Sequence, residues 1–228
     1  ICSSMPKEEI AAFAEKYLAS MPAGYAYKLA KVQPKVPSYK GVNEYVRTFK
    51  ASSKVSKAMV SVNWLYSVKT DLRSLCAVDI LDYIMSARCL SQIREQRGGT
   101  YSVSFSSSIF REKKGLVQSS VDFETRPELR DTLVNDVYEL LSDFCENGPT
   151  DEEMSAAKNY LMKYYTKIQK NRQISVVKRN ASIQDHVASG VWDEDYNQAL
   201  SEVTASDVIK AARKANKGAR LLSVLNEE

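Results

Sequence analysis

The stretch Ile93-Arg94-Glu95-Gln96-Arg97-Gly98-Gly99-Thr100-Tyr101-Ser102-Val103-Ser104-Phe105 constrains the chain more than any other. An apolar-periodic segment runs up to Arg97, two glycines break it, and strict alternation begins at Tyr101. Helical periodicity giving way to strand periodicity across a glycine pair reads as a helix that delivers its chain through a sharp corner into a strand. A fold built on this corner has to lay a long helix against a sheet.

The segments on either side extend that reading. Asp71 caps the helix ahead of the corner, whose Leu72, Cys76, Ile80, Ile84, Leu90 and Ile93 recur at helical spacing. Upstream, Glu44 to Lys50 and Ala58 to Val68 read as strands, rich in alternating, β-branched and aromatic residues, and the polar Ala51-Ser52-Ser53-Lys54 link suits an antiparallel hairpin. Past the corner, Tyr101, Val103, Phe105 and Ile109 share one face, while Ser102, Ser104, Ser106 and Ser108 share the other. Lys113-Lys114-Gly115 turns the chain, and Leu116 to Phe123 returns antiparallel.

Thr125-Arg126-Pro127-Glu128 has the form of a capping box, opening a helix through Leu129, Leu133, Val137, Leu140, Leu141 and Phe144 that stops at Asn147-Gly148. Thr150 and Glu153 form a second box, for a helix through Met154, Ala157, Leu161 and Tyr165 to about Lys170. Two or three further helices follow, around Arg172 to Ala188, Glu194 to Leu200 and Ser206 to Ala215, the last capped by Thr204, and Leu221 to Leu225 closes as a strand. At the start, Ile10, Phe13, Ala14, Tyr17 and Leu18 mark a helix capped by Ser3 or Ser4, with Pro6 in its first turn, expected to pack on a sheet. Met21 to Gly41, with Pro22, Pro34 and Pro37, reads as a long irregular connection. The expected fold is α+β: a two-layer sandwich of an antiparallel or mixed sheet of about five strands with helices on one face, formed by residues 1–228 as one domain.

Composition narrows the function classes. The net charge of +4 is modest and basic residues interleave with acids, so no nucleic-acid stripe is encoded. No run of apolar residues is long enough for a membrane span. Cys2, Cys76, Cys89 and Cys145 are widely spaced without a C-x-x-C pair and read as free thiols, which leaves the compartment open. The opening Ile1-Cys2-Ser3-Ser4 reads as the tail of a strand, so the chain is expected to be a fragment of a longer one.

The corner also carries a resemblance. An Arg-Glu pair, a glycine, a Tyr seven residues after the Arg and then a Ser/Val strand resemble the closing part of a domain in the pitrilysin and insulin-degrading enzyme family of zinc peptidases, shared by the mitochondrial processing peptidases and the respiratory core proteins. Gly148-Pro149-Thr150-Asp151-Glu152-Glu153-Met154, followed by Ala157-Lys158 and Leu161, and Pro6-Lys7-Glu8-Glu9-Ile10 match the same family in the same order, so that the resemblance spans nearly the whole chain.

Peptidases of that family hold zinc with H-x-x-E-H and a downstream Glu, two imidazoles and a carboxylate binding the ion while the motif Glu activates its water. This chain has one histidine, His186, beside Asp185 in a helical stretch, and cannot supply that site. The resemblance therefore implies a non-catalytic domain, with no cofactor of its own and the zinc in a partner catalytic domain or subunit. It further implies that Arg94 and Tyr101 reach a peptide substrate bound at that zinc, where guanidinium and phenol can hold a carbonyl and stabilise the oxyanion. Arg97 does not have the family's spacing to Tyr101. Two alternatives stand beside this reading: Tyr101 as an ordinary core tyrosine with Arg94 as a solvated charge at a helix end, and the whole chain as a structural or binding subunit with no proteolytic role.

Overall fold

The computed structural model describes residues 3, 5–22, 37–50, 56–96, 100–110, 115–174 and 195–227, and positions 177, 180 and 183. Its centre is one open mixed sheet of strands β1 (Val42–Phe49), β2 (Lys57–Ser67), β3 (Thr100–Phe110), β4 (Leu116–Thr125) and β5 (Ala219–Glu227). The strand order is β1-β5-β2-β4-β3, with β1 parallel to β5 and every other pair antiparallel. The α+β sandwich expected from the sequence is therefore present.

The β1–β2 hairpin is not. β5, from the far end of the chain, lies between the two strands, pairing Val46 with Val224 on one side and Val60 with Val224 on the other. A polar link between two strands satisfies the local requirements of a hairpin equally well when a distant strand intervenes. The fully buried Val224 explains why β5 occupies an interior position, whereas β1, with Val42, Tyr45, Val46 and Phe49 exposed, is an edge.

One face of the sheet builds the core. Ala58, Val60, Val62, Trp64 and Tyr66 of β2 and Val117, Val121 and Phe123 of β4 are buried, each set at strand spacing. They belong to the same buried cluster as residues of α2 (Leu72–Cys89), α3 (Arg130–Asn147), α4 (Asp151–Ile174), α5 (Tyr196–Glu202) and α6 (Ala205–Lys217). α2 is the pivot: Cys76, Ala77, Val78, Ile80, Leu81, Ile84, Met85 and Cys89 are all buried, because β3, α4, α5 and α6 surround it. Cys76, Cys89 and Cys145 are free, buried thiols, and burial pushes the first two up to about 12, so they behave as small apolar residues. Cys2 lies outside the described residues.

Local signals set the helix ends. The Asp71 carboxylate accepts from the Ser74 N–H at 2.8 Å. Thr150 Oγ1 accepts from the Glu153 N–H at 3.1 Å while Glu153 Oε2 accepts from the Thr150 N–H at 2.8 Å, and Thr204 and Asp207 repeat this box at α6. Gly148, at φ +74°, terminates α3 as anticipated. The box read at Thr125 and Glu128 does not form: Thr125 remains in β4, opposite both Ala58 and Thr100, and the chain enters α3 through a 3₁₀ turn at Pro127–Leu129 with no side-chain cap.

The first helix departs from expectation more widely. α1 (Lys7–Phe13) starts after Pro6 with no side-chain cap and continues as wider, π-type turns over Ala14–Ala19. Phe13, Tyr17 and Leu18 are all more than half exposed, so its apolar stripe is not packed on this sheet. Much of the irregular connection from Met21, most of the stretch around Arg172 to Ala188 beyond the end of α4 at Ile174, and His186 lie outside the described residues.

Candidate functional site

The corner is assembled from the end of α2 and the start of β3. After Cys89 the helix continues through Leu90–Gln96 with π-type geometry, which widens the coil and often marks a functional site. Within it Ile93 is fully buried while Arg94, the next residue, is exposed. The buried isoleucine fixes the turn on the core, and its neighbour is thereby presented outward.

β3 starts at Thr100 and forms an edge of the sheet. Thr100 pairs with Thr125 and Val103 with Phe123, so Tyr101 and Ser102 together oppose the single residue Glu124. This is a β-bulge, a device that bends a strand and re-aims a side chain. The alternation by which the sequence placed Tyr101 on the face of Val103 and Phe105 is interrupted there. Thr100 Oγ1 donates to the Ser102 carbonyl at 2.7 Å inside the bulge, and Ser86 Oγ of α2 donates to the Phe105 carbonyl at 2.9 Å just beyond it. The fold thus carries Arg94 and Tyr101 on the two arms of one corner. The Tyr101 side chain, like Arg97, Gly98 and Gly99, lies outside the described residues.

Beside the corner is a cleft of about 660 Å³ between α2, α4 and β3, lined in part by Asp79, Asp82, Tyr83, Phe105, Tyr160 and Tyr164. Tyr83 and Tyr160 pack with ring centroids 5.0 Å apart, and Tyr160 stacks on Tyr164 at 6.3 Å. Tyr196 donates to Asp79 Oδ2 at 2.6 Å and Tyr165 to the same oxygen at 3.5 Å. Burial pushes the Asp79 carboxyl up to about 6, with the Tyr196 hydroxyl pulling it back and the charge of Asp82 adding to the rise; burial likewise carries Asp82 to about 6 against hydrogen bonds from Ser107. The sequence reading missed this cluster. Tyr160 and Tyr164 at helical spacing were the available signal, but Tyr83 packs on Tyr160 from 77 positions away, and Tyr165 and Tyr196 reach Asp79 from 86 and 117 positions away, beyond what local pattern can link.

The two aspartates make a testable contribution to stability. Their folded pKa of about 6 lies above the ordinary carboxylate value near 3.9, so the fold favours their protonated form. The stabilisation they give is complete below the unfolded value and lost as pH rises through 6. The melting temperature is expected to rise between pH 7 and pH 5 on this account, and Asp79→Asn to flatten that rise; an unchanged pH slope in the variant would refute it.

Among the described residues no group of three or more His, Cys, Asp or Glu is placed to hold a metal ion, and no helix is long and apolar enough to cross a membrane.

The fold is thus an open five-stranded mixed sheet with helices layered on one face. The family model of the peptidase M16 inactive domain matches residues 1–161, and the chain belongs to that family. No curated protein matches it. Among solved structures it is similar to the periplasmic protease PqqL from Escherichia coli, at a TM-score of 0.80 and 20% identity over 99% of this chain and 25% of that one. It is also similar to a peptidase M16 inactive domain from Pseudomonas fluorescens, at 0.72 and 20% identity over 97% of this chain and 51% of that one. A protease from Helicobacter pylori aligns at 0.73 and 13% identity over 100% of this chain and 54% of that one. The chain spans a quarter to about half the length of these structures, whose fold it shares.

Proposed function

We propose that this chain is the part of a zinc metalloendopeptidase that closes around peptide substrates and lends Arg94 and Tyr101 to a reaction carried out at a zinc ion in a partner catalytic domain or subunit. The observations that support the reading are an exposed Arg94 next to the buried Ile93 at the end of one arm and a bulge that contains Tyr101 at the start of the following strand. A guanidinium and a phenol are both donors, suited to a peptide carbonyl whose oxygen gains negative charge when the zinc-bound water attacks. The zinc and the attacking water belong to the partner; this chain orients the peptide and stabilises charge.

The test is cleavage of a quenched fluorescent peptide by the full-length protein that carries this chain, combined with whichever chain bears H-x-x-E-H. Activity is expected only when both are present, and is expected to fall in Arg94→Ala and Tyr101→Phe while melting temperatures hold. Activity in the combined protein that is indifferent to both substitutions would overturn the proposed roles. The second reading, a structural or binding subunit without proteolytic role, would be supported by no activity under any pairing.

A further inference from the structure

At the opposite end of α2 from the corner, where β2 leaves the sheet and α6 passes alongside, lies a second cleft of about 850 Å³. An α2 of 18 residues separates the two ends by about 27 Å at 1.5 Å per residue. Six cations line the cleft, Lys69, Arg73, Lys210, Arg213, Lys214 and Lys217, against two carboxylates, Asp71 and Asp207. That excess of four positive charges equals the net charge of the entire chain, +4, so the remainder is balanced and the basic character is concentrated here.

Both carboxylates are engaged in structure. Asp71 caps α2 through the Ser74 N–H, and Asp207 accepts from Arg73 at 2.6 Å and from the Thr204 N–H at 3.0 Å. Among the described residues Lys214 and Lys217 form no ion pair, and Lys210 reaches Asp207 only at 3.7 Å. From Lys210 to Lys217 the basic face of α6 extends about 10 Å. The walls between the charges are apolar, with Val68, Ala77 and Ala211 among them.

We infer that this cleft is a docking site for an acidic, Glu-rich segment of a polypeptide partner. Cations spread along a helix face match carboxylates spaced along an extended chain, at roughly 7 Å for alternate residues. Methylene stems of glutamate can lie on the apolar walls while their carboxylates meet the lysines. A single phosphate would leave most of these cations unused. A single-stranded nucleic acid would need an aromatic platform for its bases, but the one aromatic residue lining the cleft among the described residues, Tyr66, is buried with its hydroxyl 3.0 Å from Ser119 Oγ.

The experiment measures fluorescence anisotropy of a short labelled peptide alternating Glu and Ala, titrated with the full-length protein that carries this chain. The wild type is expected to bind saturably, with affinity falling as salt rises, and not to bind the matched Gln peptide. Lys214→Glu with Lys217→Glu is expected to weaken binding roughly tenfold or more. Lys163→Glu with Lys167→Glu, the same charge change on exposed positions of α4, is expected to leave it within about twofold. Equal losses in both double variants would reduce the effect to net charge and overturn the site. Absence of saturable binding, or tighter binding of inorganic phosphate or of a single-stranded oligonucleotide than of the Glu peptide, would overturn it as well. Unchanged melting temperatures in the variants separate lost binding from lost fold.

Discussion

Arg94→Ala in the assembled peptidase is expected to lower turnover on the order of 100-fold to 1000-fold, the usual effect of removing one donor to a developing oxyanion. KM should change far less, because the interaction strengthens as charge builds on the peptide oxygen and is weak in the ground state. Tyr101→Phe removes only a hydroxyl and should reproduce the loss in turnover. Arg94 is exposed, so its truncation leaves no cavity, and the melting temperature should remain within a degree or two. A drop in stability without a selective loss of turnover would place both residues in the architecture of the corner instead.

The largest expected loss of stability comes from a different arginine. Arg88, near the end of α2, donates through Nε and Nη2 to the two oxygens of Glu153 at 2.8 Å each, and through Nη2 to the Gly148 carbonyl at 2.9 Å. Its guanidinium lies 4.7 Å from the centre of the Phe144 ring and reaches Asp143 at 3.4 Å. One side chain, only 14% exposed, thereby joins α2 to the end of α3, to the Gly148 turn and to the capping box of α4. Arg88→Ala would leave Glu153 and the Gly148 carbonyl without their partner in a half-buried setting, at a cost of about 2–4 kcal/mol. Arg88→Lys should recover part of this, since an ammonium keeps the charge but not the two-pronged geometry.

pH supplies an internal check on that pair. The hydrogen bond from Arg88, opposed by burial and aided by the Thr150 N–H, holds the Glu153 carboxyl below its usual range. Its contribution is present above the unfolded carboxylate pKa and disappears as pH falls through the lower folded value. The wild type should therefore lose more stability than Arg88→Ala on acidification below about pH 4. Unfolding free energies from urea titrations that differ by less than about 0.5 kcal/mol at pH 7 would show the pair to behave as a solvated surface bridge.

What the sequence disclosed follows the range of the forces involved. The caps at Asp71, Thr150 and Thr204, the stop at Gly148 and the antiparallel pairing of β3 with β4 depend on residues close in sequence, and all were legible, while Lys113 and Lys114 of the expected turn lie outside the described residues. The place of β5 between β1 and β2 was not, because pairing Val60 with Val224 costs nothing that either local segment records. The Thr125 capping pattern was misleading for a related reason: ladder bonds to two neighbouring strands hold Thr125 in β4. The stripe of α1 was correctly periodic, yet Phe13, Tyr17 and Leu18 find no cover here, which periodicity cannot foretell.

The candidate site divides in the same way. The glycine pair and the change of period located the corner, and the family motif selected Arg94 and Tyr101 within it. The bulge opposite Glu124 was hidden, since an extra residue in a strand is defined only by its partner. The tyrosine-lined cleft and the basic cleft were hidden too. Each joins residues from segments that alternation and helical period treat separately, and in the basic cleft the interleaved acids masked six cations that the fold brings together.

The most direct test of a cross-domain active site is to replace Tyr101 with photoreactive benzoylphenylalanine in the full-length assembly, with the glutamate of the partner's zinc motif changed to Gln so that bound peptide is not cleaved. Illumination is expected to attach the peptide to position 101, and an excess of unlabelled peptide to suppress the product. Attachment only to this chain's own core, with the peptide unmodified, would contradict the account.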